Sequence, residues 1–281
     1  MGLFKKIVKR MINPFWDKYS DLFKTSHHRN DEEIELKIRM DNPLYLERFG
    51  FKVYAQADDD GIIEEIFNRI QTTNKTFVEF GVNNGLECNT HYLVHQGWNG
   101  LWIDGSKKYI KGANQLFFKV INTKQLNIIN GFITKDNINT LIAEEGKLSG
   151  EIDLLSIDID GNDYWVWKAI TCVKPRVVVI EYNAKFPPNF EWVMAYNPTH
   201  IWRGDDNQGA SLKALEKLGH QLGYQLVGTN TMGINAFFVR EDLTKNFFVK
   251  PATAENLYNP FRWKKRYISG HPSRQYIGKA Y

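Results

Sequence analysis

Apolar and polar positions alternate with different periods along the chain. Over residues 1–12, Leu3, Phe4, Ile7, Val8, Met11 and Ile12 recur at helical spacing, with Lys5, Lys6, Lys9 and Arg10 between them. That pattern predicts a basic amphipathic helix, ended near Pro14. Residues 17–60 are charged and mixed, closing on Asp58, Asp59 and Asp60 before Gly61, and 62–71 reads as a helix. From residue 77 short apolar runs alternate with helical periods. Strands are predicted at Phe77–Gly81, Gly100–Asp104, Leu126–Ile129, Ile152–Ile157 and Arg176–Glu181. Helices are predicted between them at 85–96, 107–118, 135–145 behind a Thr134 cap, and from Asp163 to Thr171. A loop, Lys185–Gln208, is well beyond the usual connection length. A helix near 210–222 and strands near 224–228 and 234–239 follow, the last two joined by the turn-like 229–233.

Strands alternating with helices imply a mostly parallel sheet covered on both faces, here closing on an antiparallel hairpin. The expected fold is therefore α/β, doubly wound and Rossmann-like, with seven strands and the last one antiparallel. An N-terminal extension (1–60) and a C-terminal tail (246–281) flank a central domain (61–245).

Composition changes this picture little. The 281 residues are 43% hydrophobic and 24% charged, which suits a folded domain. No apolar run is long enough for a membrane span. Cys88 and Cys172 lack metal-ligand spacing and read as small core residues in helical settings, compatible with a reducing cytoplasm. Charge is uneven: the net +4 combines basic ends with an acidic body over 13–250. An acidic body argues against a general nucleic-acid surface on the domain and for special roles at the ends. The basic helix over 1–12 is suited to the inner face of a membrane, or alternatively to docking its apolar stripe on the domain.

In open α/β sheets, ligands sit beyond the carboxyl ends of the strands. The first such end reads Phe77-Val78-Glu79-Phe80-Gly81-Val82-Asn83-Asn84-Gly85. Gly81 permits close backbone approach, Gly85 a tight strand-to-helix turn, and Glu79 offers a carboxylate to a cationic amino group. The three-glycine dinucleotide spacing is absent. About 20 residues on, Asp104 before Gly105 is positioned to accept hydrogen bonds from both hydroxyls of a ribose, or to cap the next helix.

These stretches, with Asn130-Gly131-Phe132-Ile133-Thr134, Asp153–Trp165, Pro175–Asn183, Gly209–Leu212 and Asn235–Val239, resemble the FkbM-like group of class I S-adenosylmethionine-dependent methyltransferases. The resemblance covers roughly residues 77–240. It implies an enzyme with S-adenosylmethionine as cofactor, and a cofactor site including Glu79, Gly81, Asn83, Gly85, Asp104, Gly105, Phe132, Ile133 and Asp158. A closing antiparallel hairpin is also the arrangement of that class, which favours methyl transfer over nicotinamide chemistry.

The chemistry end follows the fourth and fifth strands. Asp158 and Asp160 are candidates for taking the acceptor's proton, and His200, in the aromatic loop, is a second candidate base. Asp163 reads equally as a helix cap. By similarity to Mg2+-dependent O-methyltransferases, Asp158, Glu181 and Asn183 are candidate ligands for a hard cation. No HExxH or EF-hand spacing occurs. His91 and His95 are four apart, with no third ligand evident. The expected acceptor is a sugar, glycan or related small molecule. The alternatives are nucleic-acid methylation, suggested by the basic aromatic tail, and a non-catalytic cofactor-binding scaffold.

Overall fold

The computed structural model describes residues 34–262. The chain divides into two compact units, Met1–Pro43 and Leu44–Tyr281. In the first, residues 34–41 are helical. The amphipathic segment 1–12 and the basic tail beyond Arg262 lie outside the described residues.

The second unit is built on seven strands: β1 (Thr76–Phe80), β2 (Asn99–Asp104), β3 (Leu126–Asn130), β4 (Gly150–Ile157), β5 (Val173–Glu181), β6 (Tyr224–Thr229) and β7 (Asn235–Arg240). Their order is β3-β2-β1-β4-β5-β7-β6. The first five run parallel, and β7 is antiparallel to both β5 and β6. This is the doubly wound, Rossmann-like sheet with an antiparallel end that the alternation of elements predicts. The central strands β4 and β5 are buried on both faces over most of their length, as their largely apolar runs require.

Alternation along each strand divides the core in two. Val78, Leu101, Leu155 and Val178 face Ile138, Leu141, Val166, Leu215 and Leu218. Phe77, Trp102, Leu154 and Val177 face Ile62, Ile63, Ile66 and Phe67 on helix α1 (Asp59–Ile70), with Leu93, Val94 and Trp98. Residues on either side of the 61–245 stretch share in this unit: Leu46 and Leu257 are fully buried.

Several helices depart from the periodicity. Only α2 (His91–His95) forms within 85–96, because residues 82–90 fold as successive turns. The reason is Glu79, whose carboxylate accepts the backbone N–H groups of Asn89 (2.8 Å) and Thr90 (3.0 Å). These donors are thereby taken out of a helical ladder. Cys88 lies in this loop and Cys172 just before β5, so neither is helical; both are free thiols. The 107–118 segment is α3 (Lys107–Leu116) followed by α4 (Phe118–Asn122). Within 135–145, the Thr134 and Asn137 side chains each accept the other's backbone N–H, delaying α5 to Ile138–Thr140, and a π-helical turn over Leu141–Glu145 completes it. Helix α6 spans Asp163–Ala169 and α7 Leu212–Leu222. The latter starts at a Ser211 cap and stops at Gly223 in the left-handed conformation.

Candidate functional site

Strand register assembles the site. Phe80 pairs with Ile103 on one side and Ile157 on the other, and Ile157 pairs with Ile180. The next residue on each strand therefore lies in one row across the carboxyl edge: Asp104, Gly81, Asp158 and Glu181. Register extends the row to Asn130 beside Asp104 and Asn235 beside Glu181. The edge also contains the switch point of the sheet, since β1 sends its neighbours off in opposite directions, to β2 and to β4.

A cleft of about 160 Å³ opens over this point, lined by Gly81, Asn83, Asp104, Gly105, Phe132, Ile133, Asp158, Ile159, Asp160, Asn162 and His200. Asp104 is buried, and its two oxygens accept the N–H groups of Asn83 (2.8 Å) and Ser106 (2.7 Å). Burial raises its pKa, opposed by those two hydrogen bonds. A carboxylate has about four acceptor positions, so two remain after these bonds. Phe132, nearly half exposed, stands beside Gly105, where an added Cβ would come within 3.2 Å of its ring. Together they leave a flat apolar surface at one end of the cleft.

Two residues expected in a cofactor site serve the framework instead. Glu79 is 2% exposed and outside the cleft. Besides Asn89 and Thr90 it takes hydroxyl hydrogen bonds from Thr90 and Ser156, so its acceptor positions are filled. Gly85, at φ +79°, sits where a Cβ would meet Trp102 at 2.5 Å and Phe117 at 2.8 Å. Gly81 does line the cleft, yet its close approach is to protein: a Cβ there would lie 1.6 Å from the Asp158 carbonyl oxygen.

Beside the cleft, Asp158, Asp160 and Glu181 each bring one carboxylate oxygen within 4.8 Å of the others. Asp158 is raised well above the ordinary range by burial and then by Asp160 and Asp163. Glu181 is raised likewise by burial and by Asp158 and Asp160, with Lys185 opposing. Asp160 is pushed to about 6 by its place in the cleft and by Asp163 and Asp104. Its backbone is left-handed at φ +52°, a conformation uncommon for a residue with a Cβ. Asp163 is explained by structure: its two oxygens accept the Ile159 and Gly161 N–H groups, both at 2.8 Å, and so hold the 158–163 turn.

Asn183 does not join the cluster. Its amide donates to the Asp206 and Gln208 carbonyls and its oxygen accepts from Lys185 N–H, so it braces the long loop. Gln208 stands closer to the role expected of it. It donates to Glu181 Oε1 at 3.0 Å, while Gln208 Oε1 and Glu181 Oε2 are both buried without a hydrogen-bond partner.

No family model and no curated protein sequence matches this chain. Solved structures do resemble it. One is an S-adenosylmethionine-dependent methyltransferase from Clostridium acetobutylicum, at 12% identity and TM-score 0.41, covering 63% of this chain and 88% of that one. Another is an O-methyltransferase from Bacillus cereus, solved with SAH, at 13% identity and TM-score 0.41, covering 74% and 88%. A third is the magnesium protoporphyrin IX methyltransferase of Synechocystis, at 13% and 0.41, covering 68% and 87%. Likeness at this level carries no residue correspondence.

The long loop after β5 is pinned to the site by groups that the sequence pattern did not single out. Asn162 donates to Asn197 O at 2.7 Å and accepts from Asn197 N–H, and Trp165 Nε1 donates to Met194 O at 2.8 Å. This brings His200 onto Gly161, with Nε2 3.1 Å from the Asp160 carbonyl oxygen. His200 also lines a second cleft of about 410 Å³ with Asn197, Thr199, Ile201, Arg203, Asp205 and Asn207. It stands between the two clefts.

The acidic run at the start of α1 is also part of this edge. Asp59 is fully buried, accepts from Asn230 and Asn235 side chains, and is raised to about 7 by burial and by Asp58. Asp60 Oδ2 accepts the N–H groups of Val53, Tyr54 and Ala55. Three acids at a helix start are a recognisable signal. What the sequence does not carry is that they turn inward.

Proposed function

We propose that this chain is an S-adenosylmethionine-dependent methyltransferase that methylates a hydroxyl of a small-molecule, sugar or glycan acceptor. The observation that carries the reading is Asp104. It is a buried carboxylate at the end of β2, anchored by two backbone N–H groups, with acceptor capacity left beside a glycine turn and an exposed phenylalanine at the switch point. That combination suits a ribose diol with a planar base against Phe132 and Ile133, and Asn83 and Gly105 complete the walls. The bound cofactor supplies an electrophilic methyl group.

This chain's own residues would orient the acceptor and manage its proton. Asp158 and Asp160 border the cofactor cleft and His200 stands at its junction with the second cleft, which suits an acceptor held there. With Nε2 against the Asp160 carbonyl, His200 has Nδ1 as the nitrogen to take a proton. The partnerless Glu181 and Gln208 oxygens fit a hard cation better than a neutral ligand. Asp158, Asp160 and Glu181 would hold such a cation, Mg2+ being one candidate, with Gln208 replacing the expected Asn183. A cation there would lower the pKa of the acceptor hydroxyl.

A nucleic-acid acceptor is disfavoured by the acidic body over residues 13–250, which would repel phosphates. Residues 1–12 remain a candidate for peripheral membrane contact, testable by flotation with anionic liposomes. The functional reading is tested by calorimetry with S-adenosylmethionine, then by S-adenosylhomocysteine release across hydroxyl acceptors. Wild type should bind the cofactor. Asp158→Asn should retain affinity within about tenfold and lose turnover far more. No cofactor binding by the folded wild type at millimolar concentration would reject the proposal.

A further inference from the structure

Outside the cleft, His91 and His95 lie one turn apart on α2 with their Nε2 atoms 3.2 Å from each other. Two nitrogens bound to one transition-metal ion at 2.0–2.1 Å, at angles between square and tetrahedral, stand about 2.8–3.4 Å apart. The observed separation falls inside that interval. The other nitrogen of His91 is directed at the Leu86 carbonyl oxygen, at 3.4 Å. A proton on that Nδ1 leaves the Nε2 lone pair facing His95, the arrangement by which a backbone carbonyl orients a metal-binding imidazole.

The rings are also held in place before any ion arrives. Tyr54 stacks on His91 at 3.8 Å and 18° and on His95 at 5.2 Å and 26°. Tyr54 is itself fixed through its backbone N–H, which donates to Asp60 at 2.7 Å. His91 is buried against Phe117 and Trp102, whereas His95 is exposed and gives access from solvent. We propose that His91 and His95 form a two-nitrogen chelating site for a borderline divalent metal ion such as Zn2+, with water in the remaining positions. Imidazole ligands select such ions over Mg2+. An ion there would tie α2 to Leu86, and so brace the turns that run from Asn83 into the helix.

The test is a Zn2+ titration of the full-length protein by calorimetry, in a buffer free of amines and phosphate, with histidine side-chain 1H–15N spectra. A saturable site that persists with the carboxylate cluster occupied by excess Mg2+ should appear, with metal-induced shifts at Nε2 of His91 and His95 and a proton retained on Nδ1 of His91. His95→Ala, at an exposed position, should weaken that site at least tenfold, and His95→Gln should do the same if the alanine variant folds poorly. A His27→Ala, His28→Ala double variant should retain it, as should wild type in a hundredfold excess of Mg2+. Unchanged Zn2+ affinity in His95→Ala, displacement by Mg2+, or unshifted Nε2 signals at saturation would overturn the proposal.

Discussion

Replacing Asp104 with alanine separates what the carboxylate does for the protein from what it does for a ligand. In the protein it accepts two backbone hydrogen bonds, from Asn83 at 2.8 Å and Ser106 at 2.7 Å. Asn83 is exposed and Ser106 half-exposed, so water can take over both donors and the fold should survive. The two remaining acceptor positions are the ones available to ribose hydroxyls. Hydrogen bonds to a charged group are worth about 1.5–3 kcal/mol each. Loss of even one such net contribution weakens cofactor affinity by roughly 10- to 150-fold. Calorimetry with S-adenosylmethionine and S-adenosylhomocysteine, on variant and wild type with matching thermal melts, measures this. Both ligands carry the same ribose, so both should lose the same factor. Unchanged affinity in the folded variant refutes the ribose assignment, and loss for only one of the two ligands places Asp104 near the sulfur instead.

Asp153 and Arg176 form a buried ion pair at 2.7 Å, with Asp153 also accepting the N–H groups of Thr73, Asn74 and Lys75. Asp153→Ala leaves the guanidinium unpaired in the core, which should cost about 3–5 kcal/mol and lower Tm by roughly 6–20 °C. Burial pushes the Asp153 pKa up, but Arg176 and the three N–H groups outweigh it and hold it low. Its stabilisation is therefore present above the unfolded carboxylate range and lost as acid titrates through the lowered value, visible as a drop in Tm below about pH 4 in wild type and absent in the variant. Gly81→Ala must push the β1 and β4 ends apart and should cost more than about 3 kcal/mol in urea unfolding; a wild-type midpoint would show that the edge yields easily. The raised carboxylates have the opposite sign. Asp158, Asp160 and Glu181 bind protons more tightly folded than unfolded, so each increasingly opposes the fold as pH rises from its unfolded value to its raised folded value, which for Asp160 is about 6. Asp160→Asn should then raise Tm at pH 8, by about 2–4 °C after discounting for its exposure, and leave Tm at about pH 3.5, below the unfolded carboxylate value, nearly unchanged. An equal change at both pH values would separate the effect from charge.

Much of the sheet was legible because buried parallel strands leave an unmistakable trace. Val177 to Ile180 is apolar without interruption, Ile152 to Ile157 is broken only by Asp153 and Ser156, and turn residues bound each run. The helices were less legible where side chains compete for backbone hydrogen bonds. Nothing local in residues 85–90 announces that Glu79, on the strand that leads into them, claims the N–H groups of Asn89 and Thr90. The same bonds explain why Glu79 reads as a ligand residue in the sequence and is a framework residue in the fold. An acid at a strand end is one signal with two meanings, and only its remaining acceptor capacity tells them apart. Asp104 has some left and Glu79 has none.

The acidic edge follows from register, and so could not be composed from single motifs. Asp158 and Glu181 are 23 residues apart in the chain, yet the pairing of Ile157 with Ile180 sets them side by side. The pairing of Glu181 with Asn235 then brings in β7, and Asn235 holds Asp59 from the start of α1. Burial first, and then each neighbouring carboxylate, makes these acids harder to ionise, which is why the cluster holds its protons more tightly than free acids do. Nearby countercharge is limited: Lys185 acts on Glu181 and is itself paired with Asp206. A site in this condition is neutralised by protons or by a cation. These two solutions predict different chemistry for the acceptor. With protons, the cluster can only donate hydrogen bonds or trade protons with a substrate. With a divalent ion the carboxylates would be ionised to hold it, and it would acidify the hydroxyl of the proposed acceptor. Mg2+ added at pH 8 should then raise Tm in wild type and have no such effect in Glu181→Gln. A Tm indifferent to Mg2+ in both proteins assigns the cluster to proton chemistry.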